Sequence, residues 1–310
     1  MLIRHASDFP AAKNREEYGE LLEKIQEADL RAWVKYLSVP RHFTAQPEEN
    51  LATAKCIASL LESWGYPVSL QGNYYNVAAL PQTIESPLIL IGSHFDSVPF
   101  TPGADDNASA VAAMLGVAKA LAGHPLAAQI GFVSFNCEED GMLGSTDFVN
   151  NVLLPQKIPV ACAHILEMVG YASSLPNSQS IPPGLPVRVS STGDFLGVLG
   201  NRNSYKQLDE ILATARTYLP KFPVIGLRVT LGLEKYFPVL LRSDHAPFWL
   251  KKLPSVMWTD TSEFRNKNYH QASDRPETLD YHFLANVTRL LLLTVLRQCR
   301  QYSNEKKPRH

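Results

Sequence analysis

Three short apolar runs in this chain stop at side chains able to hold a proton or a metal ion, and that recurrence constrains the fold more than any bulk property. PLILIGS (87–93) is followed by His94, QIGFVSFNC (129–137) by Glu138 and Glu139, and ACAHIL (161–166) by Glu167. With YYNVAAL (74–80) these runs have the length and β-branched content of buried strands. Between two of them lies NASAVAAMLGVAKALAG (107–123), Ala-rich and apolar at helical spacing, with Asn107 or Ser109 as expected N-cap and Gly123 as terminator. Strand, helix, strand in this order predicts an α/β fold in three layers: a central mixed, mostly parallel sheet with helices on both faces.

The rest of the chain fits that plan. Residues 16–37 carry Tyr18, Leu21, Leu22, Ile25, Leu30, Trp33 and Leu37 at helical spacing, and a second periodic stretch begins near Glu49. Further helices are expected at 204–217 and 279–301, and a strand at 254–259. No linker or internal repeat divides the 310 residues, so they are read as one domain, 1–310. SSLPNSQSIPPGLP (173–186) has loop composition and is read either as a lid over the site or as an ordinary surface loop.

Charge excludes some functions. The 29 Lys plus Arg nearly balance the 30 Asp plus Glu, and the only basic cluster is the tail at Lys306, Lys307 and Arg309, so no nucleic-acid partner is expected. No apolar stretch is long enough for a secretory signal or a membrane span, so no membrane partner is expected and a cytoplasmic location is. Cys56, Cys137, Cys162 and Cys299 form no CxxC pair and are read as buried free thiols. Oligomeric state is not legible.

In open α/β sheets ligands bind beyond the carboxyl ends of the strands. There the sequence offers His94, with Asp96 in HFDS, the GADDN loop (103–107), Glu138, Glu139 and Glu167. Imidazole and carboxylate donors without thiolate suit a hydrolytic zinc site with open positions. Adjacent glutamates at a strand end point in different directions, so one is free to ligate while its neighbour serves as general base.

The strand–HFDS–loop–GADD–helix order, with CEEDGMLGS (137–145), resembles the bacterial zinc aminopeptidase family, whose relatives include glutamate carboxypeptidases and glutaminyl cyclases. The resemblance runs from about Val39 to Leu279. It implies the zinc exopeptidase fold and two zinc ions per chain, with His94, Asp106 and Glu167 on one and Asp106, Glu139 and His270 on the other, and with Glu138 as general base. Glu167 departs from the pattern, which usually has Asp at this place. His245, in LRSDHAPFW (241–249), competes with His270; the family's Tyr-His motif favours His270, with Tyr269 as hydrogen-bond donor to the developing oxyanion. Either Asp96 or Asp105 would orient His94. Asp244 and His245 are candidates for substrate contact or for a structural pair, and Phe248 and Trp249 are expected in the core.

The activity implied is hydrolysis of N-terminal peptide bonds, with a peptide or aminoacyl compound as substrate. The alternatives are a one-zinc glutaminyl cyclotransferase, a non-catalytic binding module of the same fold, and a dipeptidase or carboxypeptidase, for which Arg202, Arg242 or Arg265 would bind a substrate carboxylate.

Overall fold

In the computed structural model, which describes residues 1–12 and 17–305, strands from both ends of the chain join one nine-stranded sheet. The strands are β1 (Leu2–His5), β2 (Val68–Gln71), β3 (Asn76–Ala79), β4 (Leu88–His94), β5 (Ile130–Phe135), β6 (Val160–Glu167), β7 (Leu196–Asn201), β8 (Val224–Val229) and β9 (Ser255–Thr259). The helices are α1 (Gly19–Glu23), α2 (Glu27–Leu37), α3 (Pro47–Ser63), α4 (Ala110–Leu121), α5 (Leu143–Asp147), α6 (Tyr205–Tyr218), α7 (His245–Leu250) and α8 (Tyr281–Glu305). Their spatial order is β1-β8-β7-β9-β6-β4-β5-β3-β2 for the strands. The central four, β5, β4, β6 and β9, run parallel, and antiparallel pairings on either side make the sheet mixed.

Parallel strands covered on both faces must be apolar at every position, which is why β4 reads as a continuous LILI run. Ile89 and Ile91 point to the face packed by α3, α4, α6 and α8, whereas Leu88 and Leu90 join Phe148, Val149 and Phe248 on the other face. Alanine at 110, 112, 113, 118 and 120 lets α4, buried along its length except at Lys119, lie close to the sheet and to α8.

The structure corrects several expectations. The 16–37 helix is two helices, interrupted at Lys24–Gln26, and residue 16 lies outside the described residues. β1 and β2, four-residue strands with exposed positions, carry too little pattern to be read. β7 and β8 are equally silent, because glycines at 197, 200 and 226 break the apolar runs; Gly200 and Gly226 admit Leu208 and Leu212 of α6 close against the sheet. Ser109 stands at the N-cap position of α4, but its side chain makes no capping bond. Asn107 bonds Leu166 O and Met168 N, and the Ser109 hydroxyl accepts from Val169 N while donating to Asp105 O, so both side chains pin the loop before α4 to the end of β6. Among the described residues no helix is long and apolar enough to cross a membrane.

The ends of the central strands are tied together by buried polar groups. Arg41, fully buried, donates to the carbonyls of Val39, Phe95, Pro102 and Gly103, joining its own segment to the end of β4 and to the GADDN loop. Burial lowers its pKa only to about 10, so it stays charged at neutral pH. Asn50 of α3 bridges Arg41 O and the Asn136 side chain, and Asn136 N donates to Asn76 at β3. Arg41→Met keeps the bulk but orphans four carbonyls, and an unmade buried bond costs about 1–3 kcal/mol. Urea denaturation is therefore expected to show a loss of about 3 kcal/mol or more; a change within about 0.5 kcal/mol, the range of ordinary surface substitutions, would contradict the clamp.

Candidate metal centre

Parallel pairing places the carboxyl ends of β4, β5 and β6 side by side, so His94, the Glu138–Glu139 pair and Glu167 converge. Asp106 enters from the turn before α4, and His270 from the loop between β9 and α8. His94 Nε2 lies 3.3 Å from Asp106 Oδ1 and 3.4 Å from Glu167 Oε2. His270 Nε2 lies 3.2 Å from both Asp106 Oδ2 and Glu139 Oε2. Two triads result, His94–Asp106–Glu167 and Asp106–Glu139–His270, each with donor atoms within 4.8 Å of one another. Asp106 presents one oxygen to each.

These contacts are close without being satisfied. His94 Nε2 and Asp106 Oδ1, which face one another, are buried with no directed hydrogen bond. Orphaned buried polar atoms are rare in folded proteins, and donors converging on a common point are what a metal ion requires. The nitrogen and oxygen donor set, without sulfur, fits zinc.

The surrounding residues hold the triads in place. Asp96 lies 3.3 Å from His94 Nδ1, and its two oxygens accept from the Glu138 and Glu139 amides, each at 3.2 Å. Asp96, not Asp105, thus orients His94; Asp105 accepts from Gly170 N and the Asn266 side chain. The Asp274 carboxylate accepts from the Asp105 and Asp106 amides, and the Ser243 hydroxyl donates to Glu167 Oε2 at 2.7 Å. Asp274, Ser243 and Arg41 went unread in the sequence, since only the fold brings them to the site. Asp274 had one available signal, an acid four residues beyond the Tyr-His pair.

The glycines of CEEDGMLGS have separate reasons. Gly141 takes a φ of +101°, and Gly144 packs so closely that a Cβ would sit 2.2 Å from Asn136 O and 2.3 Å from Asn76 Oδ1. Its amide donates to Asn136 O and its carbonyl accepts from Asn76, which locks the turn after the glutamates to β3 and β5.

His245 lies outside both triads. It is buried, bonded to Leu240 O and edge-on to Trp249, and burial lowers its pKa to about 4. Asp244 is also fully buried, and burial pushes its pKa up to about 7. Neither presents surface to a substrate. Phe248 and Trp249 are core residues. Arg265 is spent on Gln179, Tyr171 O and Phe195 O, whereas Arg242 sits beside Tyr269.

Burial opposes charge on His270, but Asp106 and Glu139 outweigh it and raise its pKa to about 10. His94 is raised in the same way by Glu167, Asp106 and Asp96. Burial, with Asp106 nearby, lifts Glu139 to about 7. Glu138, 3.9 Å from His94 Nε2 and a member of neither triad, is driven well above the carboxylate range by burial and by Glu167, Asp244 and Glu139.

The family model for peptidase family M28 matches residues 76–295, and the chain belongs to that family. It is 31% identical over 284 residues to the uncharacterized protein YfbL of Escherichia coli, covering 83% of this chain and 84% of that protein. It is 27% identical to aminopeptidase YwaD of Bacillus subtilis across 97% of this chain, which spans about half (53%) of that longer protein. Among solved structures, the LapA aminopeptidase of Legionella pneumophila superposes with a TM-score of 0.70 at 19% identity, covering 93% of this chain and 78% of that one. The glutaminyl cyclase of Porphyromonas gingivalis gives 0.66 at 17% identity, covering 88% and 98%. At these identities the structural likenesses establish the fold, the zinc exopeptidase architecture.

A metal ion entering the triads must displace protons. His270, raised to about 10 by Asp106 and Glu139, carries one at pH 7, and burial pushes Glu139 upward as well. Zinc affinity is therefore expected to rise with pH from about 6 to 10 and to weaken on acidification. Calorimetry at pH 7 in two buffers of different ionisation enthalpy should report about one proton or more released per chain; uptake without release would contradict the assignment of His270.

Proposed function

We propose that this M28 peptidase is a zinc-dependent aminopeptidase with two ions per chain, one in each triad, and with Glu138 as general base. The observation that carries the reading is the position of Glu138: a buried carboxylate against His94 that belongs to neither triad and so is free for proton transfer. Zinc bound in the triads would lower the pKa of an attacking water to about 7 and polarise the scissile carbonyl.

The chain's own groups do the rest. Glu138 takes a proton from the attacking water and delivers it to the leaving amine. Tyr269 donates a hydrogen bond from its hydroxyl to the carbonyl oxygen as negative charge develops there.

Next to Glu167 and Tyr269 opens a cavity of about 150 Å³ walled by apolar side chains, among them Ile181, Leu185, Leu199, Val239 and Met257. Residues 179–182 and Leu185 of the Pro- and Ser-rich loop form part of this wall, which supports the lid reading over that of an ordinary surface loop. The cavity suits the apolar side chain of an N-terminal residue such as leucine or methionine.

The test is hydrolysis of L-leucine p-nitroanilide by protein stripped with chelator and reloaded with zinc. Activity should vanish on stripping and return with zinc, and Glu138→Gln should lower turnover about 100- to 10,000-fold while zinc uptake is kept. Leucyl and methionyl anilides should be cleaved faster than glutamyl or lysyl ones. Full turnover by Glu138→Gln would remove the base. Ammonia from a Gln-initiated peptide, with no anilide cleavage, would mark a cyclase instead, and failure to take up zinc would mark a binding module.

A further inference from the structure

Arg242, at the exposed mouth of the apolar cavity, has one nitrogen paired with Glu263 and another 2.9 Å from the Tyr269 hydroxyl oxygen. A guanidinium donates and never accepts, so the Tyr269 oxygen receives a proton from Arg242 while its own proton must go elsewhere. The Tyr269 ring stacks on His270 with centroids 3.7 Å apart, which fixes the phenol beside one triad. Arg242 also precedes Ser243, the donor to Glu167, so two successive residues reach the two sides of the centre.

We infer that Arg242 is a positioning residue: anchored by Glu263, it occupies a lone pair of the Tyr269 oxygen, fixes the hydroxyl rotor and leaves the phenolic proton for the substrate carbonyl. This inference rests on the aminopeptidase reading above and on the donor role of Tyr269. Three features favour positioning over recognition of a substrate carboxylate. Glu263 already neutralises the guanidinium. A second carboxylate would be repelled by Glu263, and the adjoining cavity is apolar. A hydrogen bond received from a cation also polarises the phenol, strengthening the bond it donates.

Zinc-loaded wild type, Arg242→Met, Arg242→Lys, Glu263→Gln, Tyr269→Phe and the Arg242→Met/Tyr269→Phe double variant would be compared with L-leucine p-nitroanilide. Arg242→Met is expected to lower kcat about tenfold or more, with KM changed less than about threefold, because a donor aimed at the transition state is misdirected. Arg242→Lys should recover part of the loss, and Glu263→Gln should lose less than Arg242→Met. In the Tyr269→Phe background Arg242→Met should cost nothing further, since the group it positions is gone. The zinc-induced rise in Tm should equal that of wild type, because Arg242 is half-exposed and touches no member of the triads. Losses that multiply in the double variant, or an effect confined to KM, would overturn the inference and leave the Tyr269 role standing. An unchanged kcat in Tyr269→Phe would overturn the Tyr269 role itself, and an inactive wild type would overturn the aminopeptidase reading.

Discussion

Crowding of like charge at the carboxyl ends of β4, β5 and β6 is the constraint around which this molecule is organised. Asp106, Glu138, Glu139 and Glu167 are almost completely withdrawn from water within a few ångströms of one another. Burying one uncompensated carboxylate costs several kcal/mol, so such a cluster survives only where the rest of the fold overdetermines it. The backbone is what overdetermines it. Asp96 and Asp274 spend their carboxylates on main-chain amides beside the candidate ligands, Asn107 straps the Asp106 turn to β6, and Arg41 gathers four carbonyls around one buried positive charge. Each of these groups fixes the start of a candidate ligand's side chain and leaves its end free.

That division explains what could be read in the sequence. His94, Glu138, Glu139 and Glu167 follow apolar runs directly, so one argument, that polar residues end buried parallel strands at a binding edge, finds the strands and the candidate ligands together. Asp106 was legible because GADDN interrupts a strand–loop–helix unit in which five polar or small residues have no core to fill. The bracing groups carry no such mark. Arg41 reads as one more surface cation until the loop at 102–103 folds over it, and Ser243 as a turn residue until β6 delivers Glu167. Both depend on contacts across dozens of residues, which no local pattern encodes. His245 and His270 show the same limit: each lies in a polar segment near an aromatic residue, and only the course of the chain buries the first against Trp249 and carries the second to Asp106.

The sheet explains the asymmetry of the site. On the β5 side, β3 and β2 close the sheet with short strands whose polar ends, Asn76 and Gln71, brace the turn after Glu139. On the β9 side, β7 enters antiparallel and β8 and β1 extend the sheet, so its apolar surface continues past the candidate ligands. Leu199, Leu227 and Ile3 from three of these strands line the cavity. The strands hardest to read from sequence are therefore the ones that build the pocket wall, while the legible ones carry the charged groups.

The consequence is a separation of duties along one sheet. The central parallel strands, apolar and almost entirely buried, tolerate little change without moving a donor atom. The antiparallel extension and the loop at 173–186 meet fewer constraints: their side chains face a cavity, and substituting one apolar residue for another changes its depth without disturbing the triads. Arg242 and Glu263 stand where the two regions meet, attached through Tyr269 to the charged half and through the cavity rim to the apolar half. A chain built this way can change what it accepts at the β7–β8 side while the β4–β6 side, held by main-chain amides and one buried arginine, keeps its geometry.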